Sequence, residues 1–158
     1  MRKEPNSGAY QPTHHVLNLP LNPPQIVQKM MDNDAFSQWL GIEVEEVTEG
    51  YCRLKMTVRP EMLNGFYILH GGVTFALADS CFAFASNSRG QLSVSLQASM
   101  SFPNPAKAGD ILIAESKELS LSRSSATYDI EIRKQHTNEI AGLFRGVAHR
   151  SSRPAFEN

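Results

Sequence analysis

The sequence has little of what characterises nucleic-acid-binding, membrane-spanning or disulfide-rich proteins. Its 15 Lys and Arg residues are balanced by 16 Asp and Glu residues, so there is no excess of positive charge for nucleic acid. No apolar run is long enough to span a bilayer, and the first 22 residues contain no apolar segment of a secretory signal. The only cysteines, Cys52 and Cys81, have no further Cys or His at metal-ligand spacing. These absences predict a cytoplasmic protein with reduced thiols that binds neither nucleic acid nor a membrane.

Length and composition are those of one globular domain with a hydrophobic core. Of the 158 residues, 41% are hydrophobic and 20% are charged, which excludes a disordered acidic chain. Residues 1–22 combine three prolines with the pair His14 and His15 and lack an apolar face, which predicts a flexible arm with solvated histidines. We expect the single domain to occupy residues 23–150 and a short polar tail to follow at residues 151–158.

Two helices and two strands are predicted before residue 60. Asn22, followed by two prolines, is a typical helix start, and Asp34 and Gly41 are suited to begin and end a second, short helix. Both helices are expected to cover the core. Alternating polar and apolar residues predict strands at residues 42–47 and 51–58, joined by a two-residue hairpin turn.

Strand patterns dominate the second half of the sequence. Four runs with strand character are separated by segments rich in Pro, Gly, Asn and Ser, which are typical of turns. The predicted strands span residues 92–102, 111–121, 124–134 and 140–149. Their connections predict hairpins in an antiparallel sheet.

Residues 64–90, between these two groups of strands, contain the most unusual feature of the chain. A helix-compatible run follows His70, Gly71 and Gly72, and it is almost free of charge except for one carboxylate, Asp79. Desolvating an ionised carboxylate costs several kcal/mol unless it is paired or hydrogen-bonded. Asp79 therefore is a structural acid satisfied by a backbone amide or a distant Arg, takes up a proton, or lines a cavity that water and ligand can enter. Its apolar neighbours should raise its pKa and make it a better base.

The order of the predicted elements defines the fold class. Two strands, one apolar helix and four strands predict an α+β fold in which an antiparallel six-strand sheet wraps around a long central helix. Because that helix is apolar on nearly all sides, a loop or a second chain must cover the face that the sheet leaves open. No internal repeat or second domain is visible.

Several segments between residues 36 and 150 together carry a family resemblance. In chain order they are Met62-Leu63-Asn64-Gly65, His70-Gly71-Gly72, Leu77-Ala78-Asp79, Phe82-Ala83-Phe84-Ala85, Asn87-Ser88, Tyr128-Asp129-Ile130-Glu131-Ile132 and Leu143-Phe144-Arg145-Gly146. This series resembles the hotdog-fold acyl-CoA thioesterases, in the PaaI-like branch associated with phenylacetate breakdown. The resemblance implies the hotdog fold and hydrolysis of an aryl-acetyl-type CoA thioester, phenylacetyl or hydroxyphenylacetyl, to free acid and CoA.

The same resemblance implies an active site and an assembly. In that family the residues matching Asn64, His70, Gly71 and Asp79 form the site, with a small residue on the next strand, for which Ser95 is the best match by position. The acid acts as general base or nucleophile on the thioester carbonyl, and the glycine amide polarises the carbonyl oxygen. The implied partners are the small-molecule acyl-CoA and further copies of the chain, in a homodimer that pairs into a homotetramer.

Helix geometry leads to the same kind of assembly. Gly71 and Gly72 at a helix N-terminus leave N–H groups free for an oxyanion, although glycine could also simply permit tight packing. Gly71 and Asp79 are eight positions apart, which is about 12 Å along a helix, whereas a reacting carbonyl must lie roughly 3 Å from each. We therefore expect Gly71 of one subunit to face Asp79 of another in a two-fold dimer.

The other candidate residues keep alternative roles. His70 could orient the loop or the substrate, act as the base, or make a structural hydrogen bond. Asn64 could hold water or the thioester oxygen, or shape the Asn-Gly turn. Ser95 belongs to a strand on which a polar face is expected to be shared by Ser93, Ser95, Gln97, Ser99 and Ser101.

Coenzyme A would also require cations for its phosphates, and two other functions compete with hydrolysis. The candidate phosphate ligands are Arg89, Lys107, Arg123 and Lys134, each of which could equally be a solvated surface residue. No phosphate-binding glycine loop is present, and hydrolysis calls for no metal or further cofactor. The alternatives are a hotdog hydratase or dehydratase acting on an acyl thioester and a non-catalytic acyl-CoA sensor.

Overall fold

The computed structural model describes residues 20–157. Most of the predicted N-terminal arm, residues 1–19 with His14 and His15, lies outside this range. Among the described residues, no helix has the length and apolar character needed to cross a membrane.

Two short helices precede the sheet and begin where the capping residues predict. Helix α1 (Pro23–Asn33) starts after Asn22, whose side-chain oxygen accepts a hydrogen bond from the N–H of Gln25 at 3.0 Å. Helix α2 (Ala35–Leu40) is capped by Asp34 and ends at Gly41, which has the left-handed φ of 73° that glycine adopts easily.

The two helices cover the core unequally. Ile26 and Val27 of α1 and Leu40 of α2 are buried. Phe36 and Trp39 of α2 are each 56% exposed and stack on each other with ring centroids 6.0 Å apart. The expectation that both helices cover the core therefore holds for α1 and for only one face of α2.

Six strands form a single antiparallel sheet. They are β1 (Glu43–Thr48), β2 (Tyr51–Thr57), β3 (Gln91–Ser101), β4 (Ile111–Leu121), β5 (Ser125–Lys134) and β6 (Ile140–Pro154). Their spatial order is β1-β2-β4-β5-β6-β3, with every neighbouring pair antiparallel. The chain crosses from β2 to the far edge of the sheet between β2 and β3, and the long helix lies in that crossover. This is the predicted α+β architecture.

Strand β6 is longer than predicted. It continues past residue 149 to Pro154, where Gln91 of β3 is its partner, and the N–H of Ala155 then donates to the carbonyl of Gly90 at 2.9 Å. The assignment of residues 151–154 to a polar tail was wrong, because backbone pairing at a sheet end does not require apolar side chains. The side chains there remain largely exposed.

Helix α3 (Gly71–Asn87) lies inside the curled sheet and packs against β2, β3, β4, β5 and β6. Its sheet-facing side is buried and includes Leu77, Ala78, Cys81, Phe84 and Ala85. Close approach to β6 depends on Gly146, where an added Cβ would lie 2.9 Å from the ring of Phe82. The sheet can therefore curl tightly around the helix only while this position lacks a side chain.

The described residues, 20–157, leave two surfaces of the single chain uncovered. On α3, residues that are not buried recur at helical spacing, namely Gly72, Ala76, Asp79 and Ala83. At the end of the sheet, β3 leaves one edge unpaired, and Val94 and Leu96 on it are 50% and 66% exposed. An exposed edge of this kind is a template for pairing with another strand.

Candidate active site

The N-terminus of α3 presents a free backbone amide. His70 is the N-cap, and its Nδ1 accepts a hydrogen bond from the N–H of Gly72 at 3.0 Å. Its carbonyl accepts from the N–H of Val73 at 2.9 Å. The N–H of Gly71, the first residue of the helix, has no partner within residues 20–157. The helix dipole and the missing side chain suit this amide to a carbonyl oxygen that gains negative charge.

Asn64 shapes the loop that leads to this amide. Its Oδ1 accepts from the N–H of Phe66 at 2.9 Å, and its carbonyl accepts from the N–H of Tyr67 at 3.0 Å. Tyr67 has a left-handed φ of 58°, and a bridge between Leu63 and Leu69 closes the loop. The Nδ2 amide of Asn64 makes no hydrogen bond to any other described residue. The asparagine thus builds the turn and keeps a donor for a ligand.

Asn64 and Gly71 line the same cavity, which has a volume of about 310 Å³. Its apolar wall consists of Ile68, Leu69, Phe102, Pro105, Ala106 and Ala141. The Cζ atom of the Phe102 ring lies 3.4 Å from the position that a Cβ on Gly71 would take, so an aromatic ring borders the free amide. A larger concavity of about 910 Å³ lies on the outer face of the sheet near Asp129 and Arg145, and it contains none of the predicted catalytic residues.

Asp79 lies on the uncovered stripe of α3 rather than inside the core. Its side chain is exposed in the single chain, whereas the sequence suggested an acid enclosed by Phe75 and Phe82. Surrounding protein atoms still remove part of its hydration, and this desolvation, together with the Asp34 carboxylate, raises the pKa of Asp79. The raised pKa was predicted from the apolar neighbours, but the contribution of Asp34 was not.

Asp34 is the residue near the site that sequence reasoning missed. It was assigned only as a helix cap, and it does accept from the N–H of Ser37 at 2.9 Å. The hydroxyl of Ser37 also lies 2.9 Å from that of Ser80, which is next to Asp79 on α3. No local pattern brings residues 34 and 79 together, because their proximity depends on how α2 docks on α3.

Ser95 lies before a bulge in β3 that changes the facing of the strand. Ser95 is opposite Ala148 and Gln97 is opposite Val147, so Leu96 is an extra residue. Before the bulge, Ser93 faces inward and donates to the carbonyl of Ser86 on α3 at 3.3 Å.

After the bulge the inward-facing residues of β3 are Ala98 and Met100, which pack against the core. Ser99 and Ser101 instead line the outer concavity. The expectation that the polar residues of β3 share one face is therefore wrong, because an extra residue shifts the alternation by one position. Ser95 keeps the alternation of Ser93 and so lies on the helix side of the strand, where its side chain is exposed.

The predicted phosphate ligands differ in whether a carboxylate already forms an ion pair with them. Arg89 donates from Nε and Nη2 to Glu118 at 2.9 and 3.0 Å, and Lys134 pairs with Glu139 at 3.0 Å. Lys107 and Arg123 make no ion pair with any residue in the described range. Lys107 directly follows Ala106, which lines the same cavity as Gly71, whereas the other three candidate cations are not adjacent in sequence to a residue of this lining.

An antiparallel sheet curled around one helix, with an acid on that helix and a free amide at its N-terminus, defines the class of hotdog-fold proteins that act on thioesters. Comparison with known proteins agrees, since the family model of the thioesterase superfamily matches residues 66–141. The chain belongs to this superfamily, in the PaaI-like branch of hotdog acyl-CoA thioesterases.

Individual relatives support this membership. The acyl-coenzyme A thioesterase PaaI of Escherichia coli is 40% identical over 80% of this chain and 89% of its own length. A putative esterase of Archaeoglobus fulgidus is 37% identical over 80% of this chain and 84% of its own length. The structure of the E. coli PaaI protein matches with a TM-score of 0.81 and 38% identity, over 84% of this chain and 95% of that chain. The family and fold predicted from the motifs are confirmed.

Proposed function

We propose that this enzyme hydrolyses an aryl-acetyl-CoA thioester, phenylacetyl-CoA or a hydroxyphenylacetyl-CoA, to the free acid and CoA. The observation that carries the proposal is the combination of a free amide at Gly71 with an acid, Asp79, whose pKa is raised. The first can polarise a thioester carbonyl and the second can activate a nucleophile. The E. coli relative, an acyl-coenzyme A thioesterase from the phenylacetic acid degradation operon, supports the choice of acyl group.

The proposed site lies between two chains. Gly71 and Asp79 occupy one helix, eight residues and therefore about 12 Å apart, which is too far for both to reach one carbonyl. In a two-fold dimer, Gly71 of one subunit faces Asp79 of the other, and two equivalent sites result. The uncovered stripe of α3 and the unpaired edge of β3 support a second copy as the partner, because each is a continuous surface that another chain can cover.

In the proposed reaction the thioester oxygen accepts a hydrogen bond from the N–H of Gly71. If Asp79 acts as general base, it takes a proton from water, whose oxygen attacks the carbonyl carbon. The C–S bond then breaks, and the CoA thiolate takes up the proton. If Asp79 acts as nucleophile, its oxygen attacks the carbonyl carbon, the C–S bond breaks and CoA leaves as the thiolate. Water then hydrolyses the mixed anhydride to the free acid and the Asp79 carboxylate, and the proton released goes to the CoA thiolate. Solvent oxygen label that enters Asp79 in a single turnover indicates the anhydride route, since label reaches this carboxylate only when water attacks the Asp79 carbonyl of the anhydride.

The remaining site residues have supporting roles in this proposal. His70 fixes the first turn of α3 through Gly72, and its Nε2 side is left to contact substrate. The Nδ2 of Asn64 donates to water or to the thioester oxygen. Ser95 faces the helix side of β3 and adds a hydroxyl. Water is the only co-reactant, so no metal or further cofactor is required.

The cavity beside Gly71 is proposed to receive the part of the substrate that flanks the carbonyl. Its apolar wall and the ring of Phe102 suit an aryl-acetyl group. Lys107, next to Ala106 in the cavity wall, and Arg123 have no ion pair among residues 20–157 and are proposed to bind the CoA phosphates, whereas Arg89 and Lys134 are already paired with carboxylates.

We further propose that the dimers pair into a tetramer and that the protein is cytoplasmic. Both Cys52 and Cys81 are free thiols, as expected in a reducing compartment. The tetramer follows from the resemblance to the family, and sedimentation of the intact protein tests it.

Thiol release from phenylacetyl-CoA, compared between the native protein and Asp79→Asn, tests the proposed function. Loss of the base should lower kcat by roughly 10²- to 10⁴-fold while substrate binding is retained. Asp129→Asn is the matched control, because Asp129 lies on the outer face of the sheet, paired with Arg145 at 2.7 Å, and should keep full turnover.

Three outcomes would contradict hydrolysis that depends on Asp79, and a fourth would contradict the acyl preference. Equal rates for the native protein and Asp79→Asn would remove Asp79 from the mechanism. Binding without turnover across a panel of aryl and aliphatic acyl-CoAs would indicate a sensor. Consumption of an enoyl-CoA without thiol release would indicate a hydratase. A kcat/KM no higher for aryl-acetyl than for aliphatic acyl groups would overturn the acyl preference alone.

A further inference from the structure

The N-terminal end of α2 meets α3 beside Asp79 through a chain of hydrogen bonds. The hydroxyl of Ser37 donates to Oδ2 of Asp34 at 2.6 Å and lies 2.9 Å from the hydroxyl of Ser80. A carboxylate only accepts and Ser37 has one hydroxyl proton, so Ser80 must be the donor to Ser37. The chain therefore runs from Ser80 through Ser37 to Asp34, and both serines are buried.

This arrangement holds Asp34 in place on both of its oxygens. Oδ1 accepts from the N–H of Ser37 at 2.9 Å, while Oδ2 accepts from its hydroxyl. The same two bonds cap α2, so the carboxylate cannot turn away without uncapping the helix. Because Ser80 is the residue after Asp79, the chain of hydrogen bonds also fixes the backbone that carries Asp79.

The chain of hydrogen bonds places the Asp34 carboxylate two links from Ser80, the neighbour of Asp79 on α3. After desolvation, the Asp34 carboxylate is the second cause of the raised pKa of Asp79. On α1, the ammonium of Lys29 lies over the ring of Phe156 and Asp32 accepts from Gln28. Most charges on the sheet strands are paired, namely Arg53–Glu45, Lys55–Glu43, Arg89–Glu118, Arg133–Glu131, Lys134–Glu139 and Arg145–Asp129. The charged strand residues without an ion pair among the described residues are Glu46, Lys117, Arg150 and Arg153, and none of them contributes to the raised pKa of Asp79. Helix α3 has no other charged residue.

We propose that Asp34 is a positioning residue of the active site, held by α2 so that its negative charge keeps Asp79 a stronger base than an isolated aspartate. This inference rests on the proposed role of Asp79. Two negative charges held near each other disfavour ionisation of the one that lacks its own donors, and Asp34 has donors from Ser37. The basicity of Asp79 thus depends on the charge of Asp34, which caps a helix outside the central hotdog elements.

The test is the pH dependence of kcat/KM in Asp34→Asn. Asparagine caps a helix about as well as aspartate, so α2 should remain folded while its charge is lost. Activity needs ionised Asp79, and activity therefore falls as pH falls through the raised pKa of Asp79. Removing the like charge lowers that pKa, so the acid limb of the profile should move to lower pH. The matched control is Asp32→Asn, which removes an exposed charge two residues away and should leave the limb in place.

A second variant and the Asp79→Asn profile keep the result interpretable. If Asp34→Asn fails to fold, Asp34→Ser provides another uncharged cap and should show the same shift. An acid limb that does not move in a folded Asp34 variant overturns the positioning role. If Asp79→Asn retains the native rate and acid limb, the limb does not belong to Asp79, and the proposed function fails independently of Asp34.

Discussion

At the scale of single residues, Gly71 can contribute to the site in two ways. As the first residue of α3 it offers an N–H that the helix cannot use, and as a glycine it lets a substrate approach the backbone. Proline at this position removes the N–H but suits a helix start. The extended backbone of His70, with φ −62° and ψ 130°, is also the conformation that precedes proline.

We expect Gly71→Pro to lower kcat by roughly 10²- to 10³-fold, because an oxyanion donor is lost, while the melting temperature changes little. Gly71→Ala is the matched variant, since it retains the N–H and places a Cβ at an ordinary contact distance of 3.4 Å from Phe102. Thiol-release kinetics and thermal unfolding of both variants measure the effect. Equal loss of kcat in the two variants would show that space, and not the N–H, is what matters at Gly71.

At the scale of elements, the contact between α3 and β6 sets how tightly the sheet curls. Gly146 lies opposite the rings of Phe82 and Phe144, and Phe82 also packs edge-on against Tyr128 with centroids 5.9 Å apart. These rings have little room to yield, because interiors are close-packed. The position of α3, and with it the position of Asp79, therefore depends on a glycine in a strand that carries no catalytic residue.

Gly146→Ala should destabilise the fold by about 1–3 kcal/mol, because the added Cβ would lie within 3.0 Å of both Phe82 and Phe144. Denaturant unfolding measures the change. Gly65→Ala is the control, since nothing lies within 4 Å of a Cβ at that position. A Gly146→Ala variant as stable as the native protein would mean that the sheet accommodates the added Cβ without a loss in the free energy of unfolding.

At the scale of the whole molecule, a site shared between chains makes a distinctive prediction for mixed dimers. A chain carrying Asp79→Asn still supplies Gly71, and a chain carrying Gly71→Pro still supplies Asp79. A dimer containing one of each has one intact site and one site without either group. Such dimers should show about half of the native activity per dimer, although both parent homodimers are nearly inactive.

Differently tagged chains, expressed together and purified through both tags, provide these mixed dimers. Folded mixed dimers as inactive as the parents would place Gly71 and Asp79 of one chain in the same site, contrary to the helix geometry. A dilute monomer that still releases thiol at the native rate would contradict the shared site as well.

Much of the fold and part of the candidate site could be predicted from the sequence because their signals are local. The cap at Asn22, the cap at Asp34 and the helix end at Gly41 are short-range hydrogen-bond and backbone preferences, and all three are observed. Residue alternation identified the strands because a half-buried sheet imposes a period of two. The ordered motifs identified the family and, through it, the candidate residues.

The sequence by itself therefore determined the elements, the hotdog architecture and the position of one acid on a nearly uncharged helix. Only the tertiary structure decided which groups meet that acid. Helix docking brings Asp34 and Ser37 to Ser80, and a bulge after Ser95 turns Ser99 and Ser101 to the outer face of the sheet. Within residues 20–157 an ion pair engages Arg89, whereas none engages Lys107. These outcomes depend on contacts between residues far apart in the chain, and local propensities and periodicity do not predict such contacts.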